Sequence, residues 1–347
     1  MTQVEEAAPA THELPPPLVL LNMLSGMMSA RALQAAAKFG IADLLKDGPK
    51  GVAELAEITG THTQSLYRLL RALTSCGVFS EIEPQVFSNN PLSSFLQSDV
   101  HGSMRNMTRM WGDDWRWASW GELAYSIQTG RPAFNRIYGK NLWQYFEENN
   151  PSSGRLFSQA MTSFSESVNG PVVASYDFSG IDTLVDVGGA HGSSLSAILK
   201  AFPSLNGVLF DIPAVIEGAK EPLQAQGVLE RCRLVAGDFF ESVPAGADAY
   251  IMKFILHDWD DEHCLQILRN CRKAIQPGGR LLVVEQLIPA GNEPAFSKIL
   301  DLEMLAILVG RERTAAEFEQ LFEESSFRLS RVIPAPADFS IIEGIAI

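Results

Sequence analysis

The stretch Phe254-Ile255-Leu256-His257-Asp258-Trp259-Asp260-Asp261-Glu262-His263 sets an imidazole where an apolar run meets four acids. A histidine there could hold a metal, satisfy a structural hydrogen bond, or accept a proton. His257 and His263 stand six apart across a strand–helix junction, which is not a zinc spacing, so no metal site is expected. Asp260, Asp261 and Glu262 fall in the first turn of a helix expected over 261–275, where the helix dipole favours negative charge by ~0.3–1 kcal/mol each. Trp259 either packs over a ligand base or caps the core. A second constellation is TLVDVGGAHGSS (183–194), a strand, a glycine turn and a helix start. Gly188, Gly189 and Gly192 let a ligand approach the backbone, and the helix N-terminus attracts an anion. Asp211 follows a second strand, 25 residues after Asp186, and is placed to grip the two hydroxyls of a ribose. In GDFF (237–240), Asp238 would sit beside an adenine amino group and Phe239 against its ring face. Each feature alone also fits an ordinary tight turn, and enzymes that use NAD follow the same logic. Together they point to a nucleoside ligand.

Those residues need a sheet to hold them. TLVDV, GVLF (207–210), RLVA (233–236), DAYIM (248–252) and RLLVVEQLI (280–288) are short β-rich runs, separated by helical segments at 193–202, 213–226 and 261–275. Continuous apolar strands alternating with helices mean a parallel sheet covered on both faces. RLSRVIPA and SIIEGIAI close the chain as strands at a sheet edge, after a helix opened by a capping box from Thr314 to Glu317. The expected fold is α/β: a Rossmann-like doubly wound sheet, mostly parallel with an antiparallel edge strand, joined to a helical, winged-helix-like N-terminal domain. The expected division is a flexible arm at 1–17, the winged-helix-like domain at 18–100, an aromatic-rich helical connector at 101–175 and the nucleoside-binding domain at 176–347.

Bulk properties narrow the partners. The chain has 347 residues, 46% hydrophobic and 20% charged, which suits two folded domains. A net charge of -14 repels phosphate backbones and anionic lipid, so neither nucleic acid nor membrane is an expected partner. The helix–helix–wing pattern over 51–90 would suit a DNA-binding regulator, but Arg68 and Arg71 are the fixed cations of 61–79. The segment 61–79 starts on a threonine cap candidate, with Leu66, Leu69, Leu70 and Leu73 on one face. The four cysteines form no C-x-x-C pair, and the N-terminus lacks a signal-peptide pattern, so the cytoplasm is the expected location. Residues 18–30 are apolar nearly all round yet too short to span a bilayer, which suggests either a core helix or, preferred here, burial by a second subunit in a homodimer.

Taken in order, DVGGAHG, FDIP, GDFF, MKFILHDWDDEH, PGGRLLVVEQLIP and GRERTAAEF resemble the S-adenosylmethionine-dependent small-molecule O-methyltransferases of the plant phenylpropanoid, hydroxyindole and bacterial aromatic-polyketide type. The resemblance covers nearly the whole chain; Ala190-His191 depart from it, standing where many members carry glycine or another small residue. It implies that the N-terminal domain dimerises, that S-adenosyl-L-methionine is the cofactor, and that the acceptor is a small aromatic hydroxyl compound. It also assigns Ser165 and Lys253, the latter through its carbonyl, to the cofactor. His257 becomes the base, oriented by Glu285 and Glu312. Phe157, Met161, Phe164, Met304, Ile307 and Leu308 would line the acceptor site, although each would serve equally as core. Such a base suits the reaction: a phenol with pKa ~10 is scarcely ionised at neutral pH, and a neutral imidazole with pKa ~6.5 can take its proton while a carboxylate steadies the other nitrogen. N- or C-methylation, or a non-methylating reaction on the same scaffold, is the alternative. An acid within LLVVEQLI needs a partner if buried, whereas Glu312, between Arg311 and Arg313, could belong to a solvated charged loop.

Overall fold

The computed structural model describes residues 14–336 and 338–347. Most of the expected arm lies outside the described residues, and its last two, Pro16 and Pro17, already belong to a helix, Pro16–Phe39. Proline fits the first helical turn because its missing N–H would have had no partner there. The chain divides into two compact units, residues 1–100 and 101–347.

In the first unit, helices Val52–Thr59 and Thr63–Ser75 pack with a small antiparallel sheet of β1 (Lys50–Gly51), β2 (Ser80–Glu83) and β3 (Val86–Ser88). Leu66, Leu70 and Leu73 enter its core with Leu55 and Phe87, while Leu69 is only partly buried. The cap of the second helix is His62, whose Nδ1 accepts from the Ser65 amide, and not a threonine. Leu20, Leu21, Met23, Leu24, Met27 and Met28 of the first helix all stand open to solvent on this chain. No helix among the described residues is long and apolar enough to cross a membrane.

The second unit begins with five short helices between Arg105 and Glu148, followed by a long one, Pro151–Ser175. Then comes a seven-stranded sheet: β4 (Thr183–Val187), β5 (Asn206–Asp211), β6 (Cys232–Ala236), β7 (Ala249–Lys253), β8 (Arg280–Gln286), β9 (Phe327–Pro334) and β10 (Phe339–Ala346). Its spatial order is β6-β5-β4-β7-β8-β10-β9, parallel from β6 to β8 and antiparallel thereafter. The expected α/β architecture is present, with one difference at the rim. SIIEGIAI is not an edge strand: β10 lies between β8 and β9 and is buried along most of its length. β9 is the edge on this side and β6 on the other; apart from Phe327, the residues of β9 are partly buried or exposed. The helix expected over 213–226 is two short ones, Pro213–Ile216 and Lys220–Ala225.

Strand order reverses between β4 and β7. A crevice therefore opens beyond the carboxyl ends of these two strands, where open α/β sheets hold ligands. The glycine turn leaves the end of β4, and the segment carrying His257 leaves the end of β7.

Candidate active site

β7 ends at Lys253, and the chain turns sharply at Phe254, whose φ is 56°, before a short 3-10 turn, Leu256–Asp258, presents His257. A bulky residue rarely accepts that left-handed conformation; it persists where neighbours over-determine it. Here the Phe254 ring packs 5.3 Å from the imidazole and contacts Phe164 and Phe339. Glu285, on the neighbouring strand β8, is fully buried. Its Oε1 accepts from the backbone N–H groups of Ile255, Leu256 and His257 at 3.2, 3.1 and 3.3 Å. Its Oε2 lies 3.8 Å from His257 Nδ1. Glu312 arrives on the loop before helix Ala315–Glu324 and sets Oε1 2.8 Å from the same nitrogen. The second imidazole nitrogen, Nε2, lies 3.4 Å from Asp258 Oδ1.

The two glutamates thus divide the work. Glu312 fixes the imidazole, and Glu285 fixes the turn that carries it while adding charge nearby. Burial opposes a charged imidazolium, but Glu285, Asp258 and Glu312 outweigh it and raise His257 to about 10. Burial lifts Glu285 to about 7 and Asp258 to about 6, each partly offset by His257. The three acids together therefore favour the charged imidazole. His257, Glu285 and Glu312 each offer one ligand atom within 4.8 Å of the others, a donor set that spacing along the chain could not reveal.

The surroundings decide one alternative and correct one expectation. Glu312 is 3% exposed and Arg313 1%, so neither is a solvated loop residue, while Arg311 before them is exposed. Arg311 pairs with Asp261 and Glu317. Asp260 is the helix cap, accepting from the His263 amide at 3.0 Å, and not a first-turn residue; Asp261 and Glu262 do occupy the first turn.

Across the crevice the turn is shaped by absent side chains. A Cβ on Gly188, whose φ is +70°, would meet Ile255 Cδ1 at 2.5 Å; one on Gly189 would meet Leu209 at 2.5 Å and Asp186 Oδ2 at 2.6 Å. Ile255 therefore brings the base-bearing segment directly against the glycine turn. Asp211 accepts from the Ala190 and Ile212 amides at 2.9 and 2.8 Å. Asp186 is 2% exposed, and its Oδ2 has no hydrogen-bond partner among the described residues. Burial raises it to about 7, against the pull of Lys253. Lys253 is itself lowered to about 8 by burial. Its Nζ donates to Asn169 Oδ1 at 2.7 Å. Asn169 also accepts from Ser194 Oγ and donates to Ser193 Oγ, so it joins the long helix to the start of helix Ser193–Ala201. Ser165 lies one turn before it, four residues away and so on the same helix face.

Phe239 and Trp259 meet edge to face at 6.3 Å, and Phe239 also neighbours Gly188. Both are partly buried and form an aromatic wall. Asp238 is exposed, its Oδ1 occupied by the Phe240 amide of its own turn. An orphaned buried carboxylate beside a cradle that any Cβ would fill fits a ligand carrying an ammonium group and a nucleoside.

The expected acceptor residues differ in burial. Ile307 and Met304 are 2% and 6% exposed. Phe157, Met161 and Leu308 are partly buried on the aromatic cluster of Trp115, Phe134 and Phe146. Phe164 instead joins Phe254 and Phe339. Beside Met304, Glu303 forms a buried ion pair with Arg116 at 2.8 Å and accepts from the Trp120 indole. Sequence reasoning missed Asn169, Phe254, Asp258 and this pair. For Asp258 the signal was adjacency to His257; for Asn169 it was the four-residue spacing from Ser165.

An O-methyltransferase domain model matches residues 120–328, and an O-methyltransferase dimerisation domain model matches 21–99. Phenazine O-methyltransferase of Lysobacter antibioticus is 43% identical over 94% of this chain and 95% of its own length. Mitomycin biosynthesis 6-O-methyltransferase of Streptomyces lavendulae is 41% identical over 91% and 90%. The crystal structure of an O-methyltransferase from neocarzinostatin biosynthesis, in complex with S-adenosylmethionine and 2-hydroxy-5-methyl naphthoic acid, superposes with a TM-score of 0.81 at 31% identity, covering 97% of this chain and all of that one.

Proposed function

The chain belongs to the S-adenosylmethionine-dependent O-methyltransferase family, and on that premise we propose that it methylates a ring hydroxyl of a small aromatic metabolite with His257 as the base. The observation that carries the reading is His257 Nδ1 held 2.8 Å from buried Glu312 at the mouth of the β4/β7 crevice. When bound, S-adenosylmethionine supplies a sulfonium-activated methyl group and a positive charge that opposes protonation of a nearby imidazole. Asp186, Gly188, Gly189, Lys253 with Asn169, and Ser165 would hold its amino acid end. Asp211 would take the ribose, and Phe239 and Trp259 the base. Asp238, exposed at the same rim, would reach the base amino group.

The chain's own part is proton transfer. Nδ1 keeps its hydrogen toward Glu312, which fixes the tautomer and leaves Nε2 as the accepting atom. Nε2 must first give up its proton, and the surrounding acids then stabilise the imidazolium that forms as the acceptor hydroxyl is deprotonated. Phe157, Met161 and Leu308 offer the acceptor ring an apolar wall, which methionine adapts to varied shapes.

The exposed leucines and methionines of helix Pro16–Phe39, within the region matching a dimerisation domain, support a homodimer that covers them. The cysteines are unbridged, in keeping with a cytoplasmic location.

The test is His257→Ala. We expect turnover, followed by mass spectrometry of the methylated product, to fall by ~10²–10⁴-fold with cofactor binding retained in calorimetry. Full turnover in that variant would remove the mechanism.

A further inference from the structure

The loop that delivers Glu312 does more than supply a carboxylate. Its next residue, Arg313, is 1% exposed, and all five of its N–H donors are engaged. Nη1 donates to the Leu256 carbonyl at 2.9 Å and to the Arg311 carbonyl at 3.3 Å. Nη2 donates to the Trp259 carbonyl at 2.8 Å and to Asp261 Oδ1 at 2.8 Å, and Nε reaches that same oxygen at 3.1 Å. Leu256 and Trp259 bracket His257 and Asp258. One planar guanidinium therefore grips the turn on both sides of the base. The backbones are equally close: a Cβ on Gly310 would stand 1.9 Å from the His257 carbonyl oxygen. Behind Arg313, its own carbonyl accepts from the Ile288 amide at 3.0 Å, tying the clamp to the chain just after β8.

Burying a guanidinium needs a compensating arrangement, since an unpaired buried charge is costly. Its one carboxylate partner among the described residues, Asp261, has a side chain 48% exposed. A tie to a helix start could be made at the surface with a lysine; a fixed planar fork is needed to bond two carbonyls and a carboxylate at once. We propose that Arg313 is a positioning residue that sets the imidazole of His257 relative to Glu312 and the acceptor, acting through the Leu256–Trp259 turn. This rests on His257 being the base. Glu285 supports the turn through its amides and Arg313 through its carbonyls, so loss of either leaves the imidazole free to shift, and a misplacement of about 1 Å can cost ~10²-fold in rate.

The experiment compares Arg313→Ala, Arg313→Lys, His257→Ala and the His257→Ala/Arg313→Ala double variant, each first checked for folding by cofactor binding in calorimetry. Arg313→Ala is expected to lose ~10²-fold in kcat, with the acceptor KM changed by less than ~3-fold, and to regain activity with added guanidinium ion. Arg313→Lys keeps the Asp261 pair but cannot bond both carbonyls, so it should restore thermal stability and leave kcat low. If Arg313 acts through His257, the double variant is no slower than His257→Ala alone. Losses that multiply overturn the proposal, and so does a wild-type kcat in Arg313→Ala or, should that variant not fold, in Arg313→Lys. Turnover surviving in His257→Ala overturns the base assignment and this inference with it; an inactive His257→Ala beside a fully active Arg313 variant overturns this inference alone.

Discussion

At the end of β4 the chain presents backbone, two glycines and a buried carboxylate oxygen with no partner among the described residues; at the end of β7 it presents an imidazole already engaged by three acids. The first side is a cradle kept open by close backbone approach. The second is an imidazole set among acids, where Glu285 Oε2 is likewise buried without a hydrogen-bond partner among the described residues. The difference lies in what each must recognise. A cofactor of fixed shape is held by close backbone approach and a few charges. A proton in transit needs a group whose charge state neighbours can adjust. Four substitutions test this contrast, beyond the removal of the base itself.

The largest effect is expected on the β7 side. Glu312→Gln keeps the shape and removes the charge that fixes Nδ1, so kcat should fall by ~10²-fold or more while cofactor affinity stays within ~3-fold. Rates and calorimetry on one preparation decide it; a weakened cofactor with unchanged kcat would erase the distinction between the two sides. Gly189→Ala should do the reverse. Its Cβ collides with Leu209 and Asp186, and overpacking of ~1–3 kcal/mol corresponds to ~5–150-fold weaker cofactor binding, with kcat at saturation little changed.

A smaller effect concerns pH. Burial raises Asp186 to about 7, so below that pH it is protonated and neutral, and an ammonium group gains little from it. Cofactor affinity should therefore rise with pH up to about 7 and then level off. Asp186→Asn should bind weakly and lose that limb, and an identical pH dependence in the variant would remove Asp186 from the site. For stability without cofactor the sign is opposite. The folded form binds this proton more tightly than the unfolded chain, so the stability it contributes is present at low pH and is lost as pH rises from 3.8 through about 7. The smallest effect is a control outside both sides. Asn141 closes a capping box on helix Leu142–Glu148, and Asn141→Ala should cost ~1 kcal/mol, lowering Tm by ~2–4 °C with kcat and cofactor affinity unchanged.

Legibility from sequence followed the same division. The glycine turn, Asp186 and Asp211 could be read because they lie on consecutive strand–turn–helix pieces, where local geometry dictates residue type. Phe254 could not: its strain comes from packing, and nothing in KFIL marks a left-handed residue. Asn169 looked like a polar residue in a long helix until tertiary folding set it on Lys253. Leu69 shows the limit of periodicity, which names a face but not what covers it. SIIEGIAI reads as a strand but carries no local mark of its neighbours; its place between β8 and β9 depends on pairing with residues far away in sequence.

The amino-acid sequence alone determined the alternating strand and helix order, the glycine cradle and the presence of an imidazole with candidate acids, since these rest on local backbone preference and on side-chain chemistry. Only the tertiary structure decided which acids reach the imidazole, that Arg313 is buried beneath its turn, and that the neighbouring acids favour a charged base. Those properties depend on distance and desolvation among residues 257, 285 and 312–313, and neither exists until three separate segments are brought together in the fold.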